Sequence, residues 1–485
     1  MLKRGKAAFA SVIASGLVIG YLGGSVTASQ AEPAPTRVPI AAYSLVTSTS
    51  QSASGLIARV VLPAEGSCPR LSVMVTSGSG TTTVGRSMQR RSTGSTTESA
   101  FSPLLVCEAR IPTGAVTASV AGVTIPARIQ RGLDEIAIFG DSGCRIRGGT
   151  SQDCNSPKTW PLPRVARSIA RERADLVIFL GDFHYREQEC PEASNDACGG
   201  SPAPLIGAPF TDSAWSWVAD SLIPMAPILR SAPLVVVRGN HELCDRGGNG
   251  YFLMFHPGFG NGSACAPSSW GVAPVVYEPT WSTDLSIAGG RSLRLITVDS
   301  ANGNDTRIDD SIAAMQRPLF DSARDMAEGA NESWLLTHRP ISGLVSTELL
   351  PVPPGTATPW SSVTNTYSSF GLLNRFDLML SSHLHLAQAV TVPSLPPQVV
   401  LGNAGADPEP TAGYGIPTYG PLTDGEGNPL APGMEIPTAT SLHTWVEFGY
   451  AIATPAGQGW RLEFKDVSGR RFASCVAQER DMSCR

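Results

Sequence analysis

Beyond residue 22 the chain has no apolar run long enough to cross a bilayer, so the body of the sequence does not encode a membrane bundle. It has no paired Cys-x-x-Cys, which argues against a thiolate metal cluster. Basic clusters are nearly missing. The adjacent Arg90 and Arg91, in the Ser/Thr-rich stretch Thr76–Ser99 that reads as a mobile loop, make too small a patch to hold a polyanion, and the formal charge is −5 at pH 7. No nucleic-acid partner is therefore expected. No internal repeat is evident, which removes solenoids and other repeat arrays. Histidine is scarce too, with seven in 485 residues, and its distribution is the first positive signal.

Five of the seven fall in short segments that each follow an apolar run: His241, His338, His383 and His385, which are the ligand-type candidates, and His184, which matches no ligand position. In order, the segments are Gly140-Asp141-Ser142-Gly143, Gly181-Asp182-Phe183-His184-Tyr185, Gly239-Asn240-His241-Glu242, Thr337-His338-Arg339-Pro340 and Ser382-His383-Leu384-His385. The preceding runs (Glu135–Phe139, Asp175–Leu180, Pro233–Val237, Ser333–Leu336, Asp377–Leu380) read as short buried strands, which would gather the polar side chains at one edge of a sheet. An isolated Gly-Asp reads as a turn and a single histidine as a satisfied core residue. Five such segments together read as a two-metal hydrolase, because mixed oxygen and nitrogen donors suit Fe, Mn or Zn, and two such ions clamp a phosphoryl group for transfer to water.

At these motifs the chain resembles the calcineurin-like metallophosphoesterases, and within them the purple acid phosphatases, whose Gly-Asp-x-Gly and Gly-Asp-x-x-Tyr are matched by Gly140–Gly143 and Gly181–Tyr185. Other members carry Asp-x-His first; here Gly143 removes that histidine and Tyr185 stands where a tyrosinate compensates. The resemblance implies one metal on Asp141, Tyr185 and His385, a second on Asn240, His338 and His383, and Asp182 bridging them. A tyrosinate favours Fe(III) in the first position, with Fe(II), Zn or Mn in the second. It further implies in-line attack of a metal-bridging hydroxide on a small phosphorylated substrate, with His241 protonating the leaving group or orienting the phosphate. The fifth motif departs from Gly-His-x-His, since Ser382 occupies the glycine position. His184 reads as a surface residue or a supporting neighbour of the ligands, His256 and His443 as structural, and Arg145 and Arg339 as solvated or structural cations within reach of a phosphate.

Lys3, Arg4 and Lys6 precede an apolar run from Ala7 to Leu22 and then small residues ending at Ala31, the three parts of a secretory signal peptide. An uncleaved anchor is the lesser alternative. Ten cysteines suit export to an oxidising compartment, periplasmic or extracellular. Pairing sequence neighbours gives Cys68–Cys107, Cys144–Cys154, Cys190–Cys198, Cys244–Cys265 and Cys475–Cys484, although spacing alone does not fix connectivity. Three of these pairs begin just after a metal motif and would clamp its loop.

Length and composition, 42% hydrophobic and 16% charged, give room for a large core and two domains after the signal segment 1–31. Residues 32–130 alternate β-type runs (Leu56–Leu62, Leu71–Val75, Leu104–Ala109, Ala115–Val123) with turn residues and read as an all-β sandwich. Residues 131–485 read as the α/β catalytic domain, layered αββα by the resemblance, with helical stretches at Arg164–Arg173, Ser213–Leu229 and Asp309–Ala327. Val400–Gly405 reads as one more core strand and its turn, and Thr444–Ala453 with Trp460–Asp466 as a closing hairpin, while the Pro/Gly-rich Asp407–Pro437 has no regular pattern. The expected function is hydrolysis of phosphate monoesters. A phosphodiesterase or nucleotidase with the same ions is the alternative, and a surface binding protein with a structural metal site is the reading from another class.

Overall fold

The computed structural model describes residues 38–485 apart from 79, 93–97, 148–149, 192–193, 200–208, 261–264, 266–273, 304–309, 342, 346–357, 361–372, 393–394 and 409–439. The signal segment 1–31 and nearly all of Asp407–Pro437 lie outside the described residues. Residues 37–485 form one compact unit.

The strands before residue 130 are β1 (Ala41–Val46), β2 (Leu56–Pro63), β3 (Arg70–Ser77), β4 (Gly80–Ser87), β5 (Gln89–Arg90), β6 (Leu104–Arg110), β7 (Ala115–Val120) and β8 (Val123–Ile125). They make two layers, β5-β6-β2-β1 over β4-β3-β7-β8, packed through residues such as Val46, Val60, Leu71, Val73 and Val120 and tied by Cys68–Cys107. The stretch Thr76–Ser99, read above as a mobile loop, instead supplies β4, paired with β3 from Arg70↔Ser87 to Ser77↔Gly80. Its Thr and Val residues suit a pleated, half-buried surface better than their polarity suggests. Arg91 is not a surface cation but a buried one, 2.9 Å from Glu108, which also pairs with Arg59 at 2.8 Å.

The next strands are β9 (Ile136–Phe139), β10 (Ile146–Arg147), β11 (Thr150–Ser151), β12 (Leu176–Phe179) and β13 (Leu234–Val236). The parallel set β9, β12 and β13 is buried on both faces, which is why each reads as an unbroken apolar run. β1 pairs in parallel with β13, so one layer of the N-terminal sandwich continues the catalytic sheet rather than standing apart from it. A second sheet, ordered β14-β15-β16-β19-β21-β20-β22, is built from β14 (Trp281–Ile287), β15 (Arg291–Thr297), β16 (Ser333–Leu336), β19 (Leu378–Ser381), β20 (Ala387–Thr391), β21 (Gln398–Leu401) and β22 (Ser441–Trp445). Between β16 and β19 lies a small hairpin of β17 (Gly343–Val345) and β18 (Thr358–Trp360). The last strands, β23 (Gly449–Ala456), β24 (Gly459–Asp466), β25 (Arg471–Gln478) and β26 (Asp481–Cys484), extend the first sheet beyond β9. The expected closing hairpin is therefore divided: Thr444 and Trp445 pair with β20 in one sheet, and the hairpin proper is β23–β24 in the other.

The two sheets face each other across Ile136, Ile178, Val235, Leu295, Leu336 and Leu380. Helices cover the outer faces: Leu162–Glu172 buries Leu162, Val165, Ala166 and Ile169 at helical spacing against the first sheet, and the Asp310–Ala327 helix packs Phe320 and Ala323 on the second. This is the expected αββα order. The stretch Ser213–Leu229 is not one helix but Ala214–Trp217, a π-turn Val218–Leu222 and Ala226–Ser231. Pro224 and Pro227 lack the N–H that a continuous helix needs.

Buried charge also marks the seam between sandwich and catalytic sheet. Glu278 takes the Tyr251 hydroxyl at 2.9 Å and lies 3.1 Å from His256 Nε2. Burial, with the Asp299 charge second, pushes its pKa up from 4.5 to about 8. A raised folded-state pKa contributes stability fully present below about 4.5 and lost as pH rises toward about 8. Glu278→Gln should flatten the fall in Tm between those limits, and an unchanged slope would show that another group sets it.

Candidate metal centre

Every motif residue sits just beyond the C-terminal end of a parallel strand: Asp141 after β9, Asp182 and Tyr185 after β12, Asn240 and His241 after β13, His338 after β16, His383 and His385 after β19. The first five come from one sheet and the last three from the other, so the centre spans the open edge between layers. Asp141, Asp182 and His383 adopt φ of 52°, 63° and 72°. Non-glycine residues there carry strain that only a well-braced loop sustains. The bracing is visible. Glu242 accepts the backbone N–H groups of Asp182 (2.9 Å), Phe183 (2.8 Å), His184 (3.3 Å) and Gly239 (2.9 Å). Asp220, turned inward by the π-turn, accepts those of Tyr185 (2.9 Å) and Cys144 (3.3 Å) and pairs with Arg186 at 2.6 Å. Gly239 approaches so closely that a Cβ there would lie 2.1 Å from Asp182 Oδ1.

Tyr185 is the hub of one half. Its hydroxyl lies 2.7 Å from Asp141 Oδ1, 2.9 Å from Asp182 Oδ2 and 2.9 Å from His385 Nε2. His385 Nδ1 lies 2.6 Å from the Asp407 carbonyl, which fixes its proton there and turns the Nε2 lone pair inward. One phenolic proton cannot serve two carboxylates and an imidazole together, whereas a cation among them satisfies all four donors. At Gly143 a Cβ would meet Tyr185 N, Tyr185 Cδ2 and Phe183 O at 2.8 Å. Tyr185 thus fills the space in which a first-motif histidine would begin.

The other half gathers around His338, whose Nε2 lies 2.9 Å from Asn240 Oδ1 and 3.3 Å from Asp182 Oδ2. Donor atoms of Asp182, His338 and His383 all fall within 4.8 Å of one another. The His383 N–H donates to Asp141 Oδ2 at 2.7 Å, and its Nε2 faces Arg339 Nη1 at 2.8 Å. Burial opposes charge throughout, yet the neighbouring His338 and His241 hold Asp182 well below the usual carboxylate range. Conversely His338 rises to about 9 against its burial through the Asp182 charge, and Tyr185 is pushed well above 10 by burial and by Asp141 and Asp182. The set is a largely buried cradle of two carboxylates, three imidazoles, an amide and a phenol, and these mixed oxygen and nitrogen donors fit a pair of borderline or hard cations.

His241 stands beside both halves. Its ring stacks on Tyr185 at 3.7 Å between centroids, and its backbone N–H donates to Asp182 Oδ1 at 2.8 Å. Burial lowers its pKa to about 4. Glu187 Oε1 lies 3.1 Å from Nδ1 and Arg246 Nη2 lies 2.8 Å from Nε2. Sequence reasoning missed Glu187, Arg246, Asp220 and the bracing by Glu242. Only the position of Glu187, two residues beyond Tyr185, gave a local hint. His184 is buried and stacked on Trp217 at 5.5 Å, with its carbonyl 3.0 Å from His241 Nδ1. Arg145 Nη2 approaches His385 Nδ1 at 3.5 Å. All five disulfides join the expected neighbours, and three of them close loops directly behind Asp141, Tyr185 and Glu242.

An αββα fold with carboxylates, imidazoles, an amide and a phenol converging at its strand ends defines a metal-dependent phosphoric ester hydrolase. The chain belongs to the calcineurin-like phosphoesterases, a binuclear-metal family whose model matches residues 135–387, just over half of its length. Among solved structures it is similar to the purple acid phosphatase PPD1 from yellow lupin (Lupinus luteus) seeds, at 14% identity and TM-score 0.52 over 90% of this chain and 74% of that one. It is also similar to PhoD, at 11% identity and TM-score 0.49 over 93% of each chain. The likeness to the lupin protein concerns the fold alone. Comparison with curated proteins finds no match.

Proposed function

We propose that the chain is an exported, purple-acid-phosphatase-like phosphomonoesterase. The observation that carries this reading is the Tyr185 hydroxyl, set within 2.9 Å of Asp141, Asp182 and His385 where Gly143 leaves no room for a histidine. Asp141, Tyr185 and His385 would hold one ion, Asn240, His338 and His383 the other, and Asp182 both. When bound, the metals supply charge neutralisation and an activated water. Tyr185 then serves as a phenolate, because a cation reverses the effect of the flanking carboxylates on its proton. His241, oriented by Glu187 and Arg246, delivers a proton to the leaving oxygen, and the half-buried Arg145 beside His385 and the buried Arg339 beside His383 attract the phosphate. Export is supported by five disulfides and the basic-then-apolar N-terminus; among the described residues no helix is long and apolar enough to cross a membrane.

The deciding experiment loads the purified protein with Fe, Zn or Mn and compares hydrolysis of an aryl phosphate monoester with that of the matching diester. Monoester preference is expected; diester preference would move the function to a phosphodiesterase with the same site. Tyr185→Phe tests the ligand itself: a visible charge-transfer band of the iron-loaded protein should disappear. A spectrum unchanged by the substitution would remove tyrosinate from the site.

A further inference from the structure

Ser382 is the one position where the fifth motif departs from its family pattern, and it is fully buried at the centre of the site. The departure costs the backbone nothing, because the left-handed conformation in this turn falls on His383, at φ 72°, and not on Ser382. Space is available because Gly140 has no side chain: a Cβ there would meet Ser382 Cβ at 2.6 Å and Oγ at 2.8 Å. The serine fills a hollow beside the first motif that a glycine would leave.

Its hydroxyl has a defined task. Ser382 Oγ donates to the Leu180 carbonyl at 2.7 Å, which turns an oxygen lone pair toward His338 Nδ1, 3.0 Å away. His338 Nδ1 lies 2.9 Å from the same carbonyl, and the Ser382 N–H donates to the His338 carbonyl at 2.9 Å. Two acceptors at Nδ1 hold a proton on that nitrogen, so Nε2 is the nitrogen aimed at the space bounded by Asn240 Oδ1 and Asp182 Oδ2 and the one free to bind an ion there.

We infer that Ser382 is a positioning residue for this chain's metal centre: its hydroxyl, together with the Leu180 carbonyl, fixes the tautomer and ring orientation of His338 and so helps to set how tightly the ion on the Asn240, His338 and His383 side is held. The inference rests on the two-metal reading of the site. The hydroxyl never meets substrate.

The test is metal release from the loaded holoenzyme into excess chromophoric chelator, followed for both equivalents, with Ser382→Ala and Ser382→Gly beside the parent. For a lost hydrogen bond behind a histidine ligand, the expected result is one equivalent leaving roughly 10–100-fold faster and the other at the parental rate. The Tm of the metal-stripped protein should stay within about 2 °C of the parent, a small fraction of what a core defect costs. The two variants should agree, since both remove Oγ and only one removes Cβ. Parental release of both equivalents would overturn the inference. So would faster release of both together with a fallen Tm, or a defect confined to the glycine variant, because either outcome makes Ser382 a packing residue. A parent that binds fewer than two ions would instead overturn the two-metal reading, and the inference with it.

Discussion

Asp182→Asn is expected to lower phosphoester hydrolysis by about a thousandfold or more, which corresponds to roughly 4 kcal/mol of lost transition-state stabilisation. Asp182 is the carboxylate common to both halves of the centre. Its Oδ2 lies 2.9 Å from the Tyr185 hydroxyl and 3.3 Å from His338 Nε2, and its Oδ1 takes the backbone N–H of His241 at 2.8 Å. Asparagine keeps the volume, and the left-handed φ of 63° at this position suits it. What it removes is the negative charge that would lie between the two proposed cations, and it turns an amide N–H₂ toward one of these partners. The protein should therefore fold and melt nearly as the parent does, bind less than two equivalents of metal, and lose turnover of an aryl phosphate. Undiminished turnover at full metal occupancy would refute the bridging role.

How far the sequence discloses this site depends on which contacts are local. The motif positions were legible because each ligand candidate follows its own strand within a few residues, so Ile136–Phe139 delivers Asp141 and Leu176–Phe179 delivers Asp182 whatever lies alongside. The disulfides were legible for the same reason, since four of the five close loops of 21 residues or fewer. What escaped is non-local. No periodicity in Ala41–Val46 states that β1 pairs with β13, nearly two hundred residues on, and that the sandwich shares its sheet with the catalytic layers. The partition of Ser441–Trp445 and Gly449–Ala456 between two sheets is equally invisible in a run of β-type residues. Glu187, Arg246 and Asp220 acquire their tasks only when separate loops meet, and Ser382, in the sequence only a departure from the motif's glycine, gains its contacts from Gly140 and Leu180 on other segments.

Glu242→Ala is expected to be the most damaging single substitution in the loop system, although Glu242 is neither a proposed ligand nor a proton donor. Four backbone N–H groups, from Asp182, Phe183, His184 and Gly239, converge on its two oxygens between 2.8 and 3.3 Å. Each buried donor left without a partner costs roughly 1–3 kcal/mol, and the sum approaches the whole stability of an ordinary domain. Burial and the Asp182 charge push the Glu242 pKa up to about 8, so the carboxyl is kept in this pocket for the donors it satisfies and against its own desolvation. Loss of the brace releases the strained φ at Asp182 and the close approach of Gly239 together. Glu242→Ala should express poorly or melt at least about 5 °C below the parent. Its metal content should fall in step, since Asp182 and Asn240 lie on the two loops that Glu242 joins. Glu242→Gln retains one acceptor oxygen and should fall between the two. An alanine variant that melts with the parent and holds two ions would mean that water replaces the carboxylate at no cost, and that the strand ends alone position the centre.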